Sequence, residues 1–241
     1  MPLKLRTKIS LVLTIFLVTL LCLYKLFNFF RIISFPLPKK EGFTLIKYFP
    51  FSTKDSLKEW DEKVFNKRVD YRIETKDNES FVHATSNHSC SALYHKIKLD
   101  VNRQLTLSWK WCVNSFPNKR FPDNLLCKEE DDYTARVYVI FPALFFSNSK
   151  VLEYIWAKDL KVGTVSSSPY SDNIKIIVAE SGIKKENDWA TEERNIYDDY
   201  MLAFNIPPKF KIGAIAFMCD SDSTQSNTDA YFDEIKIFYK R

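Results

Sequence analysis

The chain has 241 residues, 35 basic and 30 acidic side chains and a formal net charge of +5. Seven of the basic residues (Lys4, Arg6, Lys8, Lys25, Arg31, Lys39 and Lys40) precede the first acid, Glu41; without them 28 stand against 30, a net −2 for residues 41–241. The positive balance belongs to the N-terminal segment, which argues against a basic nucleic-acid-binding face on the domain that follows.

Residues 9–24 are an unbroken apolar and hydroxyl run. Those residues cover only ~24 Å as a helix, short of a ~30 Å hydrocarbon core. Beyond Lys25 the run continues through Leu26, Phe27, Phe29 and Phe30, and a lysine can snorkel to the interface. A cleaved signal peptide shares the basic start and apolar middle, but it needs small residues at its end. Here Leu21-Cys22-Leu23-Tyr24-Lys25 leads into phenylalanines, and Thr19-Leu20-Leu21 before Cys22 lacks the small residue of a lipobox. The expectation is a retained signal-anchor over 1–33 with a short cytoplasmic start, a Pro-containing stalk over 34–42, and a domain over 43–241 on the extracytoplasmic, periplasmic side.

About 200 residues with only 4 glycines in the whole chain and many Phe, Tyr, Ile and Val suit one strand-rich domain. Residues 43–51 read as a first strand, and 55–65 as a short helix burying Leu57, Trp60, Val64 and Phe65. Short alternating runs follow at 70–75, 80–86 and 92–99, separated by polar turns. In 104–113, Leu105, Leu107, Trp109, Trp111 and Val113 alternate with Thr106, Ser108, Lys110 and Cys112. A 17-residue loop, 114–130, then leads to the stretch on which the chain is organised, 131–141. There Tyr133, Ala135, Val137, Val139 and Phe141 alternate with Thr134, Arg136, Tyr138 and Ile140, the pattern of a central strand. Arg136 is the one cation on it and needs carboxylates or carbonyls as partners. Strands are expected again at 151–158, 174–179, 212–218 and 230–239. Between them 188–204 spaces Ile196, Tyr200 and Phe204 as a helix ending before Pro207-Pro208. The tally is nine or ten strands and one or two short helices. The fold class is mainly β: an antiparallel β-sandwich, jelly-roll-like.

Three blocks stand out together: Asp131 to Phe141; Leu152-Glu153-Tyr154-Ile155-Trp156-Ala157; and a third that runs from Val178-Ala179-Glu180-Ser181-Gly182 through Trp189 and Glu193-Arg194-Asn195-Ile196-Tyr197-Asp198-Asp199-Tyr200 to Ala216-Phe217-Met218-Cys219-Asp220-Ser221-Asp222-Ser223-Thr224. In this order they resemble the bacterial DUF3047 family of uncharacterised proteins, over most of residues 43–241. The sequence departs from that pattern at Asn205, where the family tends to have glycine, and at Ser223, where it often has asparagine. The resemblance implies a shared sandwich and an extracytoplasmic bacterial setting, and no activity.

Asp220-Ser221-Asp222-Ser223-Thr224 places alternating oxygen ligands after an apolar strand, so Asp220 and Asp222 are candidates for a structural calcium; acids at strand ends are also common turn formers. Asp131, Asp132 and Arg136, with Tyr154, Trp156 and Trp189, form the candidate ligand-binding set. Arg136 reads equally as a buried ion-pair centre, and aromatic stripes on strands are more often core. His83, His88 and His95 lack zinc-ligand spacing. No nucleophile elbow, Walker loop or dinucleotide fingerprint occurs. Cys112 and Cys127 would close a loop of about 15 residues and form a disulfide if their strands were antiparallel neighbours. The reading is a membrane-anchored sandwich that binds a glycan or cell-envelope component. A hydrolase using Asp and Glu side chains, or a structural envelope protein, remains open beside it.

Overall fold

The computed structural model describes residues 42–144, 148–183 and 188–241. The anchor and stalk expected before Gly42 lie outside the described residues, among which no helix is long and apolar enough to cross a membrane. The described strands are β1 (Phe43–Phe49), β2 (Asp61–Asn66), β3 (Asp70–Lys76), β4 (Glu79–Asn87), β5 (Cys90–Leu99), β6 (Leu105–Ser115) and β7 (Arg136–Phe141). They continue with β8 (Lys150–Ala157), β9 (Val165–Ser168), β10 (Ser171–Ser181), β11 (Ala190–Asn195), β12 (Ile212–Asp220) and β13 (Asn227–Lys240), with one helix, α1 (Ile196–Phe204).

These strands make two sheets. A six-stranded sheet runs β11-β6-β13-β4-β3, with β1 also paired to β13, and a seven-stranded sheet runs β2-β5-β12-β7-β8-β10-β9. The pairings are antiparallel except β8 with β10, which is parallel. The strand on which the chain is organised, β7, is the fourth of seven. Its alternation has the expected effect: Val137, Val139 and Phe141 enter the core while Arg136 and Tyr138 face away.

The core lies between the sheets and is built from two facing aromatic stripes. Trp109 and Trp111 of β6 meet Tyr154 and Trp156 of β8, with ring centroids 5.2 Å apart for Trp109–Tyr154 and 5.7 Å for Trp111–Trp156. All four side chains are fully buried, and each contributes roughly 1.5–3 kcal/mol relative to exposure.

Three local expectations are corrected. Residues 55–65 are not an α-helix: Lys54–Glu59 is a 3₁₀ turn, and Asp61–Asn66 is the edge strand β2. On that edge Phe65 is 63 % exposed and Val64 37 %, because β2 has a neighbour, β5, on one side alone. Residues 190–195 are strand, and the helix begins only at Ile196. Asn195 sets that start by accepting the Asp198 N–H at 3.0 Å. Thirteen strands rather than nine or ten are described; the extra ones, β2, β9 and β11, are short or polar and carry little apolar alternation.

Candidate functional site

Two regions hold the chemistry, one on the outer side of each sheet. On the seven-stranded sheet, Arg136 lies beside Glu153 of β8 and Asp220 of β12 and is 3 % exposed. Its Nε and Nη2 donate to the two oxygens of Asp220 at 3.1 and 2.8 Å, and Nη1 donates to Glu153 at 2.5 Å. Nη2 also donates to the carbonyl of Asp131, whose carboxylate stands 3.6 Å from Nη1. A bidentate fork of this kind is the strong form of the arginine–carboxylate pair. Around it, the Tyr133 N–H donates to Asp220 at 3.0 Å and the Tyr138 hydroxyl to Glu153 at 3.3 Å.

One cation faces three buried acids. Burial pushes Asp131 up to about 6, against the pull of Arg136 and helped by Glu153 and Asp132. Burial likewise raises Asp220, again against Arg136. Asp132 takes no part in the arginine pair. It accepts the Ser223 N–H at 3.1 Å and the Thr224 N–H and hydroxyl at 2.6 Å each. The long loop before β7 is thus tied to the β12–β13 turn, and Asp131, Asp132 and Arg136 are all at least nine-tenths buried. Residues Asp131, Asp132, Arg136, Glu153 and Asp220 come together as the fastening of that loop.

Tyr154 and Trp156 do not join them. They point into the core, where Tyr154 donates to Asp199 at 2.8 Å and Trp156 Nε1 to the Gly182 carbonyl at 3.0 Å, so neither ring offers a face to a ligand on the sheet surface. Trp189 lies elsewhere, on the outer face of the six-stranded sheet.

That face was not anticipated. Val82 and Ala84 of β4 and Ala230 and Phe232 of β13 are core residues, so Phe81, His83, Asp229 and Tyr231 face outward by alternation. Register lines up Cys112, Tyr231, His83 and Arg72 across β6, β13, β4 and β3. Trp189 immediately precedes Ala190, the partner of Trp111, and so falls beside Cys112 at the end of that row. The rings of Trp189 and Tyr231 are 6.0 Å apart and inclined by 32°, and Phe81 packs on both, at 5.5 and 4.6 Å. Trp189 and Tyr231 are half-buried, with one side toward solvent.

His83 stands edge-on to Tyr231, ring centroids 4.8 Å apart. Its Nδ1 is 2.5 Å from Glu74 and 2.9 Å from Arg72 Nη2, and its Nε2 is 3.4 Å from Asp229. One ring nitrogen cannot both donate to Glu74 and accept from Arg72. The shorter contact decides it, with Nδ1–H donating to Glu74. Partial burial disfavours the imidazolium, but the hydrogen bonds to Asp229 and Glu74 outweigh it and hold His83 above its usual value. Nearby, Asp233 is pushed up to about 6 by burial. Two carboxylate oxygens, Asp229 Oδ1 and Asp233 Oδ1, have no hydrogen-bond partner among the described residues. The signal for this face was present in the alternation of 79–87, where His83 and Phe81 sit opposite Val82 and Ala84, but the partners on β3 and β13 lie far away in sequence.

The calcium candidates meet a mismatched donor set. Asp220 and Asp222 lie with Cys90 so that one ligand atom of each falls within 4.8 Å of the others. Asp220 is already held by Arg136, Asp222 accepts from Asn66 at 3.1 Å, and a thiol is a poor ligand for a hard cation. The disulfide expectation is corrected outright. None of Cys90, Cys112, Cys127 and Cys219 is in a disulfide. Cys112 sits on β6 and Cys127 leads toward β7, and these strands belong to different sheets, so the 114–130 loop crosses the sandwich instead of closing a hairpin.

The DUF3047 family, proteins of unknown function, matches residues 58–236. The chain belongs to that family. No curated protein matches it. Among solved structures, the DUF3047 domain is similar to a family 11 carbohydrate-binding module from Clostridium thermocellum in complex with a beta-1,3-1,4-mixed-linked tetrasaccharide, at 10 % identity and TM-score 0.42, covering 83 % of this chain and 96 % of that one. TmCBM61 in complex with beta-1,4-galactotriose gives 10 % identity and TM-score 0.40 over 79 % and 94 %. The endoglucanase cel12A from Rhodothermus marinus gives 9 % and 0.41 over 76 % and 97 %. At such scores neither the ligand nor the activity of those proteins transfers to DUF3047. Asn205 adopts φ 54° and ψ 27° and caps α1 through its N–H to the Met201 carbonyl at 2.9 Å. Asparagine is the side chain that best tolerates that left-handed conformation.

Proposed function

We propose that this DUF3047 protein binds a glycan of the cell envelope through the outer face of its six-stranded sheet. The observation that carries the reading is the pair Trp189–Tyr231, half-buried and inclined by 32° on that face, bordered by Arg72, Glu74, His83 and Asp229. Aromatic faces take the apolar side of a sugar ring, and polar groups at the border take its hydroxyls. The site is preformed, because Phe81 and the Glu74–His83–Asp229 chain brace the rings from below and beside. The apolar run over residues 9–30 supports a retained anchor that places this face outside the cytoplasm, against the envelope.

Two measurements test the two halves. Binding of the detergent-solubilised full chain to purified envelope polysaccharide should fall more than tenfold in Trp189→Ala and Tyr231→Ala; wild-type affinity in both variants would refute the face. N-terminal sequencing of membrane-extracted protein should find the anchor in place. A chain starting near Phe35 would refute retention and leave the face untouched.

A further inference from the structure

One end of the sandwich is closed by α1, and the same end receives the chain at Gly42. The helix starts beside the six-stranded sheet, where Asn195 pairs with Thr106 of β6 and its Nδ2 donates to the Arg103 carbonyl at 2.8 Å. It finishes against the seven-stranded sheet. There Tyr200 packs on Phe141 of β7, ring centroids 4.9 Å apart, and the ammonium of Lys150, the first residue of β8, stands 4.2 Å from the Phe204 ring centroid. Ile196 and Tyr200 therefore seal the core from this end. The Gly42 carbonyl accepts the Arg241 N–H at 2.8 Å, and the Gln104 carbonyl, just ahead of β6, accepts the Lys240 N–H at 2.9 Å.

The outward side of this end is apolar and cationic. Leu202 lies about 200° round α1 from the buried Tyr200 and is 63 % exposed. In the loop that follows, Ile206 and Phe210 are each 41 % exposed on either side of Pro207-Pro208, and Phe43 at the start of β1 is 62 % exposed. Cations lie among them. Arg103, Lys209 and Arg241 are exposed and make no ion pair among the described residues. Asp100 and Glu193 are taken up by Lys211 and Lys240, which leaves Asp172 and Asp198 as exposed acids near this end. In the sequence Lys39 and Lys40 come shortly before Gly42. The local balance is positive, in a domain whose residues 41–241 carry a net −2. Apolar side chains interleaved with lysine and arginine are the composition that a lipid interface with anionic headgroups takes up.

We infer that this end of the sandwich is a docking surface for an anionic lipid bilayer: Leu202, Ile206 and Phe210 enter the headgroup boundary, and Arg103, Lys209 and Arg241 meet lipid phosphates. The inference rests on the retained anchor proposed above, which ties Gly42 to the bilayer through a short stalk. It also gives the aromatic face a height. β11, six residues long, separates Trp189 from this end by ~20 Å, so docking holds the Trp189–Tyr231 pair at about that distance from the lipid.

The test uses the full-length protein in a Cys22→Ser, Cys127→Ser background, reconstituted into vesicles of phosphatidylcholine and phosphatidylglycerol. An NBD fluorophore is attached at Ile206→Cys, at Phe210→Cys or, as the control, at Phe121→Cys; Phe121 is 69 % exposed and lines a cavity with Lys158, past the opposite end of β8. Nitroxide-bearing lipid should quench the label at positions 206 and 210 at least threefold more strongly than at 121. Removing phosphatidylglycerol, or combining Arg103→Glu with Lys209→Glu, should cut the quenching at 206 at least twofold. Equal quenching at all three positions, or quenching that ignores both the anionic lipid and the two cations, would overturn the inference. Flotation of the vesicles after a carbonate wash keeps the two readings apart. Protein that fails to float overturns the anchor and this inference with it, whereas protein that floats with positions 206 and 210 unquenched overturns the docking surface alone.

Discussion

The outer faces of the two sheets use similar residues to opposite ends. On the seven-stranded sheet, Arg136 meets Glu153, Asp131 and Asp220 under a covering loop. On the six-stranded sheet, Arg72 meets Asp70, Glu74 and His83 beside the rings of Trp189 and Tyr231, which keep part of their surface toward solvent. The first set is buried, and apart from Asp131 Oδ1 its carboxylate and guanidinium groups are held by neighbours. Such a network holds a loop in one place, and breaking it leaves uncompensated charge. The second is half-wet, keeps unpaired oxygens and presents ring faces. Composition alone does not distinguish structural fastening from recognition. Cover does.

The largest effect that would break this contrast comes from Arg136→Met. It leaves three buried acids without their cation, and stability should drop by ~3–5 kcal/mol in urea unfolding. An unchanged midpoint would mean that the buried network is not the fastening described. On the other face, Tyr231→Ala should cost only ~1 kcal/mol or so, in line with ordinary destabilising substitutions, while glycan affinity falls more than tenfold. If its stability loss matched that of Arg136→Met, the two faces would not differ in kind.

A pH titration sharpens the comparison. Asp131 is raised to about 6 in the folded state, so between the unfolded value near ~4 and pH 6 the folded protein holds more protons than the unfolded one. Stability therefore rises as pH falls from 7 toward 5. His83 acts in the same direction, its ion-pair contribution being complete below the unfolded value of ~6.5 and lost as pH rises through its raised folded value. Unfolding midpoints at pH 5 and 7 should differ by an amount on the order of 1 kcal/mol. Asp131→Asn should remove part of that difference and His83→Gln another part. A midpoint that falls on acidification over this range would reverse the assignment.

The smallest effect belongs to α1. Asn205→Gly should stabilise by a few tenths of a kcal/mol up to ~1, because glycine meets no Cβ penalty at φ 54°. Destabilisation would show that the asparagine side chain has a role beyond its backbone angle.

Local chemistry determined a large part of this protein in advance. Two-residue alternation placed Leu105, Leu107, Trp109 and Trp111 on one side of β6 and Val137, Val139 and Phe141 on one side of β7, because a strand turns successive side chains to opposite faces. The isolation of Arg136 among apolar neighbours announced that carboxylates must meet it, since a bare buried cation is too costly. What periodicity could not reach was which strands become neighbours. Cys112 and Cys127 are close in sequence yet lead to strands in different sheets, while Trp189, Tyr231 and His83 come from three distant segments onto one face. Trp156 and Trp189 are the same residue type, each followed by an alanine, and the packing of one sheet on the other made the first a core residue while the second stays half-buried. Strand pairing is set by long-range burial, which sums over the whole sandwich and leaves no mark on any single segment.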